Sequence, residues 1–194
     1  MFAMESHREK ELLASNHQHS RGSSFGSGYY WGDWYDEIIG PELAAQISDD
    51  YRDKGDIVLI GVLKGAFIFL ADLSRRLTIP RTIEFIAVSS YDSGSVSSGA
   101  VRLVMDVRGN IEHRHVLIIE DIVDTGLTLT TLRKMIMDRG AASVSTAALL
   151  DKARRRVTEV PVEYRGFEVG DEFLIGYGLD DFEFAVGMRF VGHV

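Results

Sequence analysis

Val116-Leu117-Ile118-Ile119-Glu120-Asp121-Ile122-Val123-Asp124-Thr125-Gly126-Leu127-Thr128 is an apolar run that delivers two adjacent acids, then a short polar loop, then the start of a helix. A strand this apolar is the kind that a parallel sheet buries on both faces. The loop after it can turn its backbone N–H groups and the helix N-terminus toward an anion, with Gly126 supplying conformational freedom. Thr125 and Thr128 add hydroxyl donors. Glu120, Asp121 and Asp124 repel one another unless sugar hydroxyls, a divalent cation or both oppose them. The combined pattern is a phosphate cradle beside an acidic shelf, which suits a phosphorylated sugar. Helix capping by Asp124 or Thr125 is the plainer alternative. Capping leaves the acids at the end of so apolar a strand unexplained.

Outward from this segment, strands and helices alternate. The spacing of Leu43, Ile47 and Tyr51 predicts a helix over 41–53, with Pro41 suited to its first turn. Residues 57–60 read as a buried strand, 61–65 as a turn, 66–77 as a helix, 82–88 and 101–105 as strands, and 89–99 as a loop rich in Ser and Gly. Further strands are expected at 115–119, 143–150, 162–164 and 173–176, and a helix at 127–138 that stops at Gly140. The fold expected is α/β, a mostly parallel twisted sheet covered on both faces by helices. Ligands of such sheets sit beyond the carboxyl ends of the strands.

The 194 residues, 45% of them hydrophobic, suffice for one well-packed domain. Residues 1–34 read as a flexible N-terminal extension and 35–194 as the domain. His17 and His19 fall in a Gly/Ser tract of that extension and read as solvated, whereas the aromatic cluster from Tyr29 to Tyr35 carries enough apolar area to pack on the domain or a partner subunit. The chain has no cysteine, so disulfides and thiolate metal sites are excluded. A net charge of -8 argues against broad nucleic-acid binding. No apolar run approaches the roughly 18 residues of a membrane helix. A cytoplasmic protein is the expectation.

Other stretches have chemical readings beside plainer ones. Lys64-Gly65 follows a strand and opens a helix, so it can meet an anion; a surface lysine at a turn is the alternative. Ser89-Ser90-Tyr91 reads either as a hydroxyl-bearing lid or as an ordinary hairpin loop. Lys152, just after a strand, is either functional or solvated next to Arg154-Arg155-Arg156. That basic run reads as a solvated face or a subunit contact. Phe173 is either a stacking platform or core.

These stretches, in this order, resemble the type I phosphoribosyltransferases, and from about Tyr35 to Val194 the chain is similar to their hypoxanthine-guanine branch. The resemblance implies a small hood and a flexible lid loop on the α/β domain. It implies transfer of the 5-phosphoribosyl group of 5-phosphoribosyl-1-pyrophosphate to hypoxanthine and guanine in purine salvage, giving IMP, GMP and pyrophosphate. Glu120 and Asp121 would contact the ribose hydroxyls, directly or through Mg2+, and the loop Asp124, Thr125, Gly126, Leu127, Thr128 would hold the 5-phosphate. Asp124 matches the general base near purine N7. Lys64 and Gly65 match the pyrophosphate loop, where the family often has a non-proline cis peptide before the lysine. Ser90 and Tyr91 match the lid. Lys152 matches the lysine that donates to the purine O6, while Phe173 and Leu174 match base contacts and Asp180 a water-mediated metal contact. Where the family usually carries a pyrophosphate-binding arginine this chain has Val186, with Arg189 nearby. A homodimer or homotetramer is implied, with no nucleic acid and no membrane as partner.

Overall fold

The computed structural model describes residues 40–90, 101–179 and 192–193. The expected extension 1–34, the aromatic cluster, Tyr91, Asp180, Val186 and Arg189 lie outside the described residues.

The described chain runs α1 (Gly40–Asp50), β1 (Ile57–Leu63), α2 (Phe67–Arg76), β2 (Arg81–Ser90), β3 (Val101–Met105), β4 (His115–Val123), α3 (Leu127–Asp138) and β5 (Ser143–Asp151). A 3-10 turn (Ala153–Arg155), β6 (Tyr164–Glu168), β7 (Leu174–Ile175) and β8 (Gly192–His193) follow. Six strands form one sheet in the order β3-β2-β1-β4-β5-β6. All neighbours are parallel except the edge pair β2–β3. The expected mostly parallel sheet is therefore present, with one antiparallel edge strand. β7 and β8 pair antiparallel in a separate two-stranded sheet.

β4 shows why its sequence has no polar face. Leu117 and Ile119 pack with Ile47 of α1 and with Phe69 and Leu73 of α2 in one core. Val116 and Ile118 pack with Leu129, Leu132 and Ile136 of α3 in the other. Successive side chains of a strand point to opposite faces, so an uninterrupted apolar run serves both layers at once.

Two expected elements are displaced. Residues 61–63 are not a turn, because β1 continues to Leu63. Gly61 is needed for close packing: a Cβ there would lie 2.7 Å from Leu70 Cδ2 of α2. The strand expected at 162–164 starts at Tyr164 instead. Pro161 has no N–H for a ladder, and the Glu163 carboxylate accepts bonds from Thr146 N at 2.7 Å and from both Arg133 Nη atoms at 2.8 and 2.9 Å. That anchors the approach to β6 by side chain rather than by strand pairing.

The chain passes from β1 outward to β2 and β3, then returns to place β4 on the other side of β1. Such a reversal opens a crevice at the carboxyl ends of the two strands. Lys64-Gly65 and Glu120-Asp121 flank that crevice.

Since both faces of β4 are packed, Ile118→Ala and Ile119→Ala are each expected to destabilise the fold by about 2–5 kcal/mol. Urea denaturation checks this, and a near-neutral result at either position would mean that one face is not a core.

Candidate active site

β4 carries its two acids to the crevice inside the strand itself, since it runs on to Val123. Glu120 is buried and Asp121 half-buried. The Glu120 carboxyl is held well above the usual glutamate range, first by burial and then by the Asp121 charge. Its Oε2 is buried with no hydrogen-bond partner among the described residues. A buried acceptor left unsatisfied in this way costs about 1–3 kcal/mol.

Across the crevice, the Leu63–Lys64 peptide is cis, as the resemblance implied, and Lys64 is exposed. Gly65 lies against Asp121 so closely that a Cβ would fall 1.8 Å from Asp121 Oδ2. Only glycine leaves room for that carboxylate. The turn after β7 closes on the same point. Gly176 and Gly178 have φ of 93° and 90°, and a Cβ on Gly178 would meet Gly65 O at 2.8 Å. The Tyr177 hydroxyl between them donates to Asp72 of α2.

The loop from β4 to α3 turns at a glycine. Gly126 adopts the left-handed conformation at φ 84°, directly before Leu127 opens α3, and Thr125 Oγ1 accepts a long bond from Leu127 N at 3.5 Å. Thr125 thus takes a weak share in capping α3, and the plainer reading stands beside the cradle reading. Asp124 and Thr125 are half-buried. Asp124 Oδ1 lies 2.9 Å from Arg155 Nε.

Register pairs Val123 with Asp151, so Lys152 enters beside Asp124. Lys152 is only 5% exposed, and its Nζ donates to Glu172 O at 2.7 Å. A lysine after a strand is usually solvated; this one is folded inward and tied to the segment carrying Phe173. Phe173 is 44% exposed rather than core, and Leu174 is half-buried in β7. The structure thus brings Lys64, Gly65, Glu120, Asp121, Asp124–Thr128 and Lys152 to the carboxyl ends of β1, β4 and β5, with Phe173 and Leu174 tied in through the Lys152–Glu172 bond. For Ser90 only the backbone, ending β2, is described.

The basic run departs from expectation at Arg156 alone. Arg154 and Arg155 are both exposed, as a solvated face requires, although Arg155 reaches Asp124, whereas Arg156, with a side chain 15% exposed, is paired with buried Asp151. A run of three arginines gives no signal of this; the acid at the end of β5 five residues earlier was the only cue.

The carboxyl of Glu120 gives a pH test. Its pKa is raised in the folded state from the ordinary 4.5, so the native protein holds this proton more tightly than the unfolded chain. Its contribution to stability is greatest below that ordinary value and declines as pH rises toward the folded pKa. Glu120→Gln removes the ionisation. The unliganded variant is expected to melt above the wild type at pH 8 by about 2–4 °C for each kcal/mol relieved, with the gap closing near pH 4. Parallel melts across this range check it; a variant less stable than the wild type at pH 8 would refute the burial argument.

A family model for the phosphoribosyl transferase domain matches residues 34–181. The chain is 49% identical over 142 residues to a hypoxanthine-guanine phosphoribosyltransferase of Dictyostelium discoideum, covering 72% of this chain and 79% of that protein. It is 44% identical over 155 residues to a hypoxanthine phosphoribosyltransferase of Haemophilus influenzae, covering 79% and 87%. A solved hypoxanthine phosphoribosyl transferase of Trypanosoma cruzi superposes with a TM-score of 0.83 at 40% identity, over 90% of this chain and 94% of that one. With two acids at the end of β4, a glycine turn before α3 and a lysine folded in beside it, the chain belongs to the phosphoribosyltransferase family, in its hypoxanthine-guanine branch.

Proposed function

We propose that this chain carries out its transfer with Asp124 as general base, Lys152 and Phe173 as purine readers, and residues 124–128 as the 5-phosphate cradle. As a pentosyltransferase of its family it moves the 5-phosphoribosyl group from 5-phosphoribosyl-1-pyrophosphate to hypoxanthine and guanine, yielding IMP and GMP plus pyrophosphate in purine salvage. The observation that carries the residue assignment is the convergence of the acids, the left-handed Gly126 and buried Lys152 at adjacent strand ends.

The reaction displaces pyrophosphate from C1 of the sugar by a purine nitrogen. The cradle's amides, the Thr125 and Thr128 hydroxyls and the N-terminus of α3 hold the 5-phosphate, so binding energy at the far end of the sugar positions C1. Asp124 takes or steers the N7 proton. Lys152 spends one of its three donors on Glu172 O, which leaves two for the purine O6. A 6-amino group cannot accept those bonds, so the lysine selects 6-oxopurines. Phe173 offers an exposed ring for stacking and Leu174 its backbone for the base edge. Lys64 and Gly65 face the pyrophosphate, and Ser90-Tyr91 begins the lid that keeps water from the reacting sugar.

Glu120 and Asp121 offer the oxygen donors that suit Mg2+, and Glu120 Oε2, without a partner among the described residues, fits such a role. Among the described residues no group of three or more His, Asp or Glu could hold a metal ion unaided. The two acids, with Asp180, would therefore hold Mg2+ together with substrate oxygens. When bound, the ion neutralises the departing pyrophosphate.

We further infer a homodimer or homotetramer in the cytoplasm, with 35–194 as the catalytic domain. Exposed Phe67, Ile83, Phe85 and Leu103 support a subunit contact. Among the described residues no helix is long and apolar enough to cross a membrane, and the net charge of -8 disfavours nucleic acid as a partner.

Incubation with 5-phosphoribosyl-1-pyrophosphate, Mg2+ and a mixture of bases is expected to give IMP and GMP but no AMP. In the same assay Asp124→Ala is expected to lose about 10²–10⁴-fold in turnover while keeping its affinity for the sugar substrate. Wild-type turnover in that variant eliminates the base assignment.

A further inference from the structure

The outer side of the cradle loop is bound to one segment, residues 152–158. Val123 O accepts Lys152 N at 3.0 Å and Arg156 Nη1 at 2.7 Å. Asp124 O accepts the same Arg156 Nη1. Thr125 O accepts Val157 N at 3.0 Å and Thr158 N at 3.3 Å. Three consecutive carbonyls are thus fixed toward that segment. In a trans peptide plane the C=O and the following N–H point in opposite directions. Holding the carbonyls of Val123, Asp124 and Thr125 on one side therefore turns the N–H groups of Asp124, Thr125 and Gly126 to the other. Among the described residues none accepts a bond from the N–H of Thr125 or Gly126. Successive unpaired amides on one side of a loop make an anion nest.

Arg156 is held in place by its own partner. Its Nη2 donates to Asp151 Oδ1, and Asp151 Oδ2 lies 2.7 Å from Arg165 Nε. Asp151 is only 1% exposed. A carboxylate buried to that degree needs paired cations, and the planar guanidinium of Arg156 meets the carboxylate and the carbonyls at once, which a lysine ammonium cannot do in the same geometry. Arg165 comes from β6, so the brace links the loop after β4 to strands β5 and β6.

We propose that Arg156, fixed by Asp151 and Arg165, is a positioning residue that aims the Asp124–Gly126 amides at the 5-phosphate of the substrate. The proposal rests on the reading of residues 124–128 as the 5-phosphate site. Arg156 touches no substrate; it acts through the direction of the loop's peptide planes.

Arg156→Gln and Arg156→Lys are compared with the wild type by steady-state kinetics and by calorimetry with IMP. The KM for 5-phosphoribosyl-1-pyrophosphate is expected to rise about tenfold or more, the loss of roughly one good anion hydrogen bond. IMP affinity should fall in parallel, with the KM for hypoxanthine at saturating sugar substrate changed less than twofold. A purely structural role would lower the amount of active enzyme without moving these constants selectively. Arg156→Lys keeps the charge beside Asp151 and so serves if Arg156→Gln does not fold. Wild-type values for both the sugar substrate and IMP in folded Arg156→Lys would overturn the proposal. A Thr128→Ala control separates the two levels. If it weakens IMP while the Arg156 variants do not, the brace is wrong and the cradle stands. If neither change affects IMP, the cradle assignment fails and takes the brace with it.

Discussion

Two carboxylates placed side by side at the end of a central strand, one of them out of reach of water, set the terms for everything around them. Among the described residues Glu120 Oε2 has no partner, and the Asp121 charge adjoins it. Burial and like-charge repulsion both oppose ionisation there. A fold tolerates such a site when function requires it and the rest of the structure compensates. The compensation here is the double-faced apolar packing of β4, whose two cores hold the strand in place regardless of what its acidic end demands.

The geometry around the acids follows from close approach. Gly65 brings the turn after β1 against Asp121, and Gly178 brings the turn after β7 against Gly65. Two glycine turns and the end of β4 meet there, with the Asp121 carboxylate as the side chain between them. A site assembled from backbone in this way can offer amides and carbonyls to a polar, multiply charged substrate at fixed positions. It needs little reorganisation when the substrate arrives.

Sequence and structure agree best where the information is local. The strand–acid–glycine–helix pattern of 116–128 reads directly, because periodicity, an αL glycine and a helix start are all short-range features. Agreement is weaker where one residue type serves two purposes. Gly61 reads as a turn and is a packing contact with Leu70; residues 162–164 read as a strand, yet Pro161 and the Glu163 carboxylate keep 162 and 163 off the ladder, which begins at Tyr164. Local pattern does not reveal which helix crosses a glycine or which backbone donor a glutamate will meet.

The amino-acid order alone determined the alternation of elements, the double-sided burial of the central strand, the acids at its end and the flexible glycine after them, since each depends on neighbours within a few positions. Tertiary structure decided the fates of Arg154, Arg155 and Arg156, which are chemically identical in the sequence. The first two are exposed, the second reaching Asp124, and the third is paired with Asp151 under the loop. It also decided that Lys152 turns inward. The reason is that an ion pair is chosen by distance in space. The distance between the ends of β4 and β5 is set by the parallel register Val123 to Asp151, a pairing of residues 28 positions apart that no local stretch of chain encodes.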